Sequence, residues 1–296
     1  MQTPKTVLEA LEALEGTIAD ATVGVIQDDG AYLCALRAAF SKNYQVNLTI
    51  ARSENPDDEY LLLSSLRGVC EDLIGLKFLG TLAELDQDKA IVAMMMRSTV
   101  ELMTRQAAFF ESVKPNQPVM KARQADATIR ETRTVLRSIT TSFDWLDPRT
   151  GAPVVSRMAR AVGLKGFYDY LYAATSRFVH FTPRELLRMG WGSDDTGPMR
   201  FSPRGFSRYY SAFNKFYAPF MLVTFCTTFS KRLGCTNRVR AEVEAIIQIL
   251  TDEVRWPELI THEELNREAP SPLQYLLLHA EGAERFVRPE IWVWQE

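Results

Sequence analysis

Residues 58–80, DEYLLLSSLRGVCEDLIGLKFLG, decide the fold. Leucine, valine, isoleucine and phenylalanine fall on nearly every side of a 3.6-residue period, and no two-residue alternation competes with it. Just upstream, Asn55-Pro56-Asp57-Asp58-Glu59 supplies a capping side chain, a proline suited to the first helical position, and acids at the positive end of the helix dipole. The pattern predicts a helix that is apolar on most sides and therefore central. Arg67 and Glu71 interrupt it at positions i and i+4, where side chains share a face. On a surface such a pair is worth only about 0.2–0.5 kcal/mol. Here Leu66, Val69, Cys70, Leu73 and Ile74 surround it. Charges in apolar surroundings persist when paired and hydrogen-bonded, so a buried or half-buried role is expected.

A second unusual stretch lies a hundred residues on. Residues 166–180, GFYDYLYAATSRFVH, place Tyr168, Tyr172, Ser176 and His180 at successive four-residue steps. On a helix this is a polar and aromatic stripe where a core stripe would carry Leu, Ile or Val. Thr182-Pro183-Arg184-Glu185 follows with the pattern of a capping box. A new short helix is expected there, leaving His180 at a helix end beside a sharp turn.

The rest of the chain reads outward from these two helices. Residues 4–15 form a short amphipathic helix that Gly16 is expected to stop. A long helix should run from Asp28-Asp29 to about residue 52. Asp86 should cap another that ends before Pro115, with Met94, Met95 and Met96 filling the core. A basic helix is expected over 119–140, a loop from Thr140 to Pro153, and a short helix over 154–164. Residues 190–204 read as a long loop, a lid or a short hairpin. An aromatic helix should cover 205–234 and another helix 237–253. The tail ends in IWVWQE, aromatics suited to docking on the body or on a partner. No strand series or internal repeat is visible. The expectation is an all-α, single bundle-like domain of about nine to ten helices, with an acidic helical extension over 237–296.

With 46% hydrophobic and 24% charged residues among 296, the chain has an ordinary globular composition. Four cysteines without a CxxC pair fit a reducing compartment rather than a disulfide framework. The acidic N-terminus lacks an export signal's apolar run. The most apolar stretch, residues 216–229, falls short of the ~20 residues a membrane span needs, and Pro219 interrupts it. A cytoplasmic protein without a membrane span is expected. Net charge is −3, but residues 118–240 carry +12 between acidic ends of −7 and −8. That basic middle segment is either a footprint for RNA or another anion, or it is neutralised by the acidic ends within the chain or a dimer.

No phosphate-binding glycine loop, nucleophile elbow or HExxH motif is present, and three histidines give little scope for a metal centre. No metal or cofactor is expected. What remains is Arg67 and Glu71 on one helix and Tyr172, Ser176 and His180 on another. A histidine beside a carboxylate can serve as general acid or base, and an arginine can hold a phosphate. Ser176, one turn from His180, could be activated as a nucleophile. Alternatively the set is a hydrogen-bond network tying two helices together.

The ordered pair of motifs, Arg-x3-Glu (Arg67, Glu71) and Tyr-x3-Tyr-x3-Ser-x3-His (Tyr168, Tyr172, Ser176, His180), resembles a bacterial all-helical family of unknown function, over about residues 30–230. More distantly, the chain is similar to HEPN ribonuclease domains, helical bundles of defence and toxin systems that usually work as dimers. Those domains carry Arg-x4-6-His, whereas Arg177 and His180 here have two residues between them. The resemblance would imply metal-independent RNA cleavage, with His180 as acid/base and Arg177 or Arg67 steadying the phosphate. Three readings follow. One is a helical protein whose Arg67, Glu71, Tyr172, Ser176 and His180 form a buried polar network that binds an anionic ligand. The second is a HEPN-like ribonuclease with His180, Arg67 and Glu71 as catalytic residues and Tyr172, Ser176 and Arg177 binding. The third is an interaction component of a bacterial defence system. A homodimer is the expected assembly.

Overall fold

The computed structural model describes residues 6–139, 141–190, 201–253, 256–259 and 289–295. Among these the secondary structure is α-helical, with one isolated bridge between Leu146 and Pro153. The protein is all-α. Among the described residues ten α-helices follow in order: α1 Val7–Ala21, α2 Ile26–Arg52, α3 Pro56–Leu79, α4 Glu84–Val113, α5 Ala125–Ser138, α6 Val155–Ala161, α7 Lys165–Val179, α8 Pro183–Arg188, α9 Ser207–Phe229 and α10 Thr236–Asp252. Short 3-10 turns cover Pro203–Phe206 and Glu290–Trp292. Residues 191–200, most of the expected lid, and His262 and His279 lie outside the described residues, as do most of the expected short helices of the tail. No helix among the described residues is long and apolar enough to cross a membrane. The chain's contacts group into two compact units. The first comprises Met1–Val23, Arg37–Leu73 and Asp169–Glu296; the second comprises Gly24–Leu36 and Ile74–Tyr168.

The first unit is built around α9. From Phe216 to Phe229 every side chain of this helix is buried, which is why its sequence is apolar on all sides. Phe225 stacks on Phe40 of α2 at 5.2 Å. Asn214 donates to the carbonyl of Glu59 at 2.8 Å and to its carboxylate at 3.1 Å, pinning the start of α3 within the core. The C-terminal aromatics dock on the same unit. Trp292 is fully buried against Phe220 and donates to Thr224 Oγ1 at 3.1 Å. Trp294 donates to Glu244 at 2.6 Å. Helix α1 begins with a complete Thr6–Glu9 capping box and does not stop at Gly16. It runs on to Ala21 because Ile18 and Ala21 extend the buried stripe of Ala10, Leu11 and Leu14, and that burial outweighs the helix penalty of one glycine.

The second unit centres on α4 and α5. Helix α2 starts at Ile26 and breaks at Gly30, whose φ of +78° is open to glycine at little cost. There Asp88 approaches closely and accepts from the Tyr32 amide at 2.7 Å. Helix α4 starts at Glu84 rather than at Asp86, because Gln87 folds back onto the Leu82 carbonyl at 2.8 Å and anchors an earlier first turn. The methionine run does not fill the core: Met95 and Met96 are 59% and 42% exposed, since α4 turns Ala90, Ala93 and Arg97 inward instead. Helix α5 begins at Ala125, six residues later than its basic pattern predicts, after Gln124 in a left-handed conformation.

Candidate functional site

Proline at the first position of α3 and the Asn55 carboxamide, which accepts from the Asp57 amide at 3.1 Å, fix where that helix begins. Arg67 and Glu71 follow three turns in. An aromatic clamp holds α7 against this region. Tyr60 of α3 meets Phe178 of α7 edge-on at 5.3 Å, and both meet Tyr210 of α9, at 5.7 and 5.3 Å. Seven residues after Tyr60, Arg67 lies over Tyr172, six residues before Phe178, so the two helices pass in opposite chain directions. Burial, with the Glu185 carboxylate second, pushes the Tyr60 hydroxyl's pKa above its usual value, so the clamp stays neutral.

The clamp brings Arg67, Glu71, Tyr172 and His180 together. Arg67 Nε donates to Glu71 Oε1 at 2.9 Å. Its guanidinium carbon stands 4.6 Å from the centre of the Tyr172 ring. Its Nη1 lies 3.3 Å from His180 Nε2. An arginine cannot accept a hydrogen bond, so this contact needs a neutral imidazole with its lone pair on Nε2 and its proton on Nδ1. Protonation of the ring would turn that acceptor into a donor and end the contact.

The set is half-buried rather than enclosed. The side chains of Arg67 and Glu71 are 24% and 33% exposed, Tyr172 is 38% exposed, and His180 is exposed. The reason is position: His180 lies one residue beyond the end of α7, where the chain leaves the core. Ser176 is half-buried, and no hydrogen bond joins its hydroxyl to His180 among the described residues, so the pair does not have the geometry of an activated nucleophile. Tyr168, the first residue of the stripe, falls in the other compact unit.

Arg177 is also placed elsewhere. Its Nη1 is 3.1 Å from Glu185 Oε1, with side chains only 15% and 3% exposed, in a charge contact rather than an aligned hydrogen bond. Its other nitrogens donate to the carbonyls of Ala173 and Leu259 at 3.1 and 3.3 Å. Glu185 therefore does not close the expected box with Thr182, whose side chain makes no cap bond. A buried cation nearby outcompetes a surface amide for that carboxylate. Sequence spacing shows the capping possibility and cannot show the cation.

The basic middle segment is partly neutralised by acids of the N-terminal third. Arg204 pairs with Asp57, and Arg238 with Asp20 at 2.9 Å. Arg133 and Arg137 instead donate to the Pro148 carbonyl at 3.3 and 2.8 Å, holding the loop before α6.

Comparison with known proteins points the same way as the two motifs. The model of a family of unknown function, DUF5677, matches residues 48–198, a span that contains both the Arg67–Glu71 and the Tyr172–His180 segments. The chain belongs to this family. No curated protein and no solved structure matches it.

Proposed function

We propose that this is a cytoplasmic helical protein that binds an anionic group, of the phosphate type, at Arg67 and His180. The 3.3 Å contact between Arg67 Nη1 and His180 Nε2 carries the reading. Glu71 and Tyr172 fix the guanidinium from two directions, so little side-chain entropy is left to lose on binding. An oxyanion arriving at the exposed imidazole takes its place as acceptor for Nη1, and the ring swings out or becomes a second donor. The net −3 chain disfavours anion binding at random, so a site has to be specific. The test is a phosphate titration followed by the His180 ring resonances. They should move in the native protein and stay still in Arg67→Gln.

A metal-independent HEPN-like ribonuclease is the second reading. One observation favours it: an arginine and a histidine from separate parts of the chain meet in a solvent-open place. RNA cleavage in the presence of chelator, lost in His180→Ala, would support it. Binding without cleavage would leave the first reading alone.

A further inference from the structure

A cavity of about 510 Å³ opens in the first unit among α1, α2, α9 and α10, in residues unrelated to Arg67 and His180. Its volume is in the range of small-molecule sites. The walls are apolar: Val7 and Leu8 from α1, Ile50 from α2, Phe216 from α9, Ile249 and Leu250 from α10.

Its lining also holds hydrogen-bond acceptors. Pro219, on the cavity wall, has no N–H to give to the carbonyl of Lys215 four residues back, and Lys215 is on the same wall. Asn47 also lines the cavity. It is 2% exposed, its Nδ2 is spent on Asn43, and its Oδ1 has no hydrogen-bond partner among the described residues. Glu253, at the rim, is the C-cap of α10. The last turn of that helix carries no basic residue, so the negative end of its dipole and the Glu253 carboxylate act together. Across the cavity, the positive end of α1 is already answered by Glu9 in its capping box. Among the described lining residues the cation is Lys215, which is exposed and able to swing outward on its stem.

We infer that this cavity binds a small apolar molecule carrying a protonated amine, with its body among α1, α2, α9 and α10 and its ammonium toward Glu253 and the Lys215 carbonyl. The amine is favoured over a carboxylate because its three donors suit the Glu253 carboxylate, the Lys215 carbonyl that Pro219 cannot serve and the Asn47 Oδ1, which has no hydrogen-bond partner among the described residues.

A matched series on one indole body tests this: tryptamine, tryptophol and indole-3-acetate, titrated into the full chain by calorimetry. Tryptamine should bind about tenfold tighter than indole-3-acetate, with tryptophol between them. Glu253→Gln, at an exposed position, should remove most of tryptamine's advantage over tryptophol. Lys215→Met should leave tryptamine binding intact or tighten it. Ala51→Phe, which fills the cavity from α2, should abolish binding of all three while the thermal midpoint holds. Preference for the carboxylate with loss in Lys215→Met would overturn the inference and make Lys215 an anion anchor. Failure of all three compounds to bind at millimolar concentration would also overturn it, as would tryptamine binding indifferent to Glu253→Gln.

Discussion

Arg67 and His180, 113 residues apart in the chain, meet at 3.3 Å between Nη1 and Nε2. Neither end of the contact is held by chance. Glu71 orients the arginine, and the Tyr60–Phe178 clamp fixes the end of the helix from which His180 projects. The relationship joins the chain's two unusual motifs and puts both on a surface that water reaches.

Because His180 is exposed, His180→Ala should change unfolding free energy by no more than about 0.5 kcal/mol in urea denaturation. A loss of several kcal/mol would mean that the ring is a structural tie and not a ligand contact.

The Arg177–Glu185 pair should behave in the opposite way. With side chains 15% and 3% exposed, removing one partner strands the other, and Arg177→Met should cost about 3–5 kcal/mol. Phosphate binding at Arg67 should survive in whatever fraction stays folded. Urea melts together with a phosphate titration separate the two outcomes.

Trp292 is wholly buried against Phe220, with its indole N–H bonded to Thr224. Trp292→Ala should cost about 3–5 kcal/mol, the range for large-to-small changes in a core. Calorimetric melting of this variant, at several protein concentrations, distinguishes docking on the body from a partner interface. A concentration-independent drop in Tm is the expected result.

Burial pushes the Cys70 and Cys226 thiols well above the usual thiol range, and Cys235 is raised as well, again chiefly by burial. Thiolate is the reactive form, so these three should resist a disulfide reagent at neutral pH. Only Cys34, which is half-buried, is open to labelling. Native titration should give at most one fast thiol, rising to four in denaturant.

Asp57 shows a simple pH dependence. The Arg204 guanidinium, through its hydrogen bonds, holds the Asp57 carboxyl below the usual carboxylate range. A depressed carboxyl contributes stability that is fully present above its unfolded pKa, about 3.9, and is lost as pH falls through the lower folded value. The urea midpoints of the native chain and of Asp57→Asn should therefore differ by a constant amount from pH 7 down to about 5, and converge as pH falls through the lowered folded value. A gap that widened on acidification would contradict the pairing.

Helical periodicity and capping chemistry made most of the fold legible. The starts of α3 and α8 and the end of α4 before Pro115 follow directly from Pro56, Pro183 and the apolar pattern. Errors came where a tertiary partner overrode a local signal. Gly16 did not stop α1 because Ile18 and Ala21 had a core to enter, and Met95 and Met96 face water because α4 buries alanines instead. The four-residue steps of the second motif set Tyr172 and His180 on one helical face, and both meet Arg67. They did not reveal that Ser176 stands apart from His180, nor that Glu185 holds Arg177 in the interior. Both depend on side-chain directions set by distant packing.

The most direct test is calorimetric titration of inorganic phosphate into the native chain, Arg67→Gln and His180→Ala. Saturable binding that weakens at least about tenfold in Arg67→Gln and measurably in His180→Ala, with the fold intact in both, is the expected result. Binding of equal strength in all three proteins, or in none of them, would contradict an anion site at Arg67 and His180.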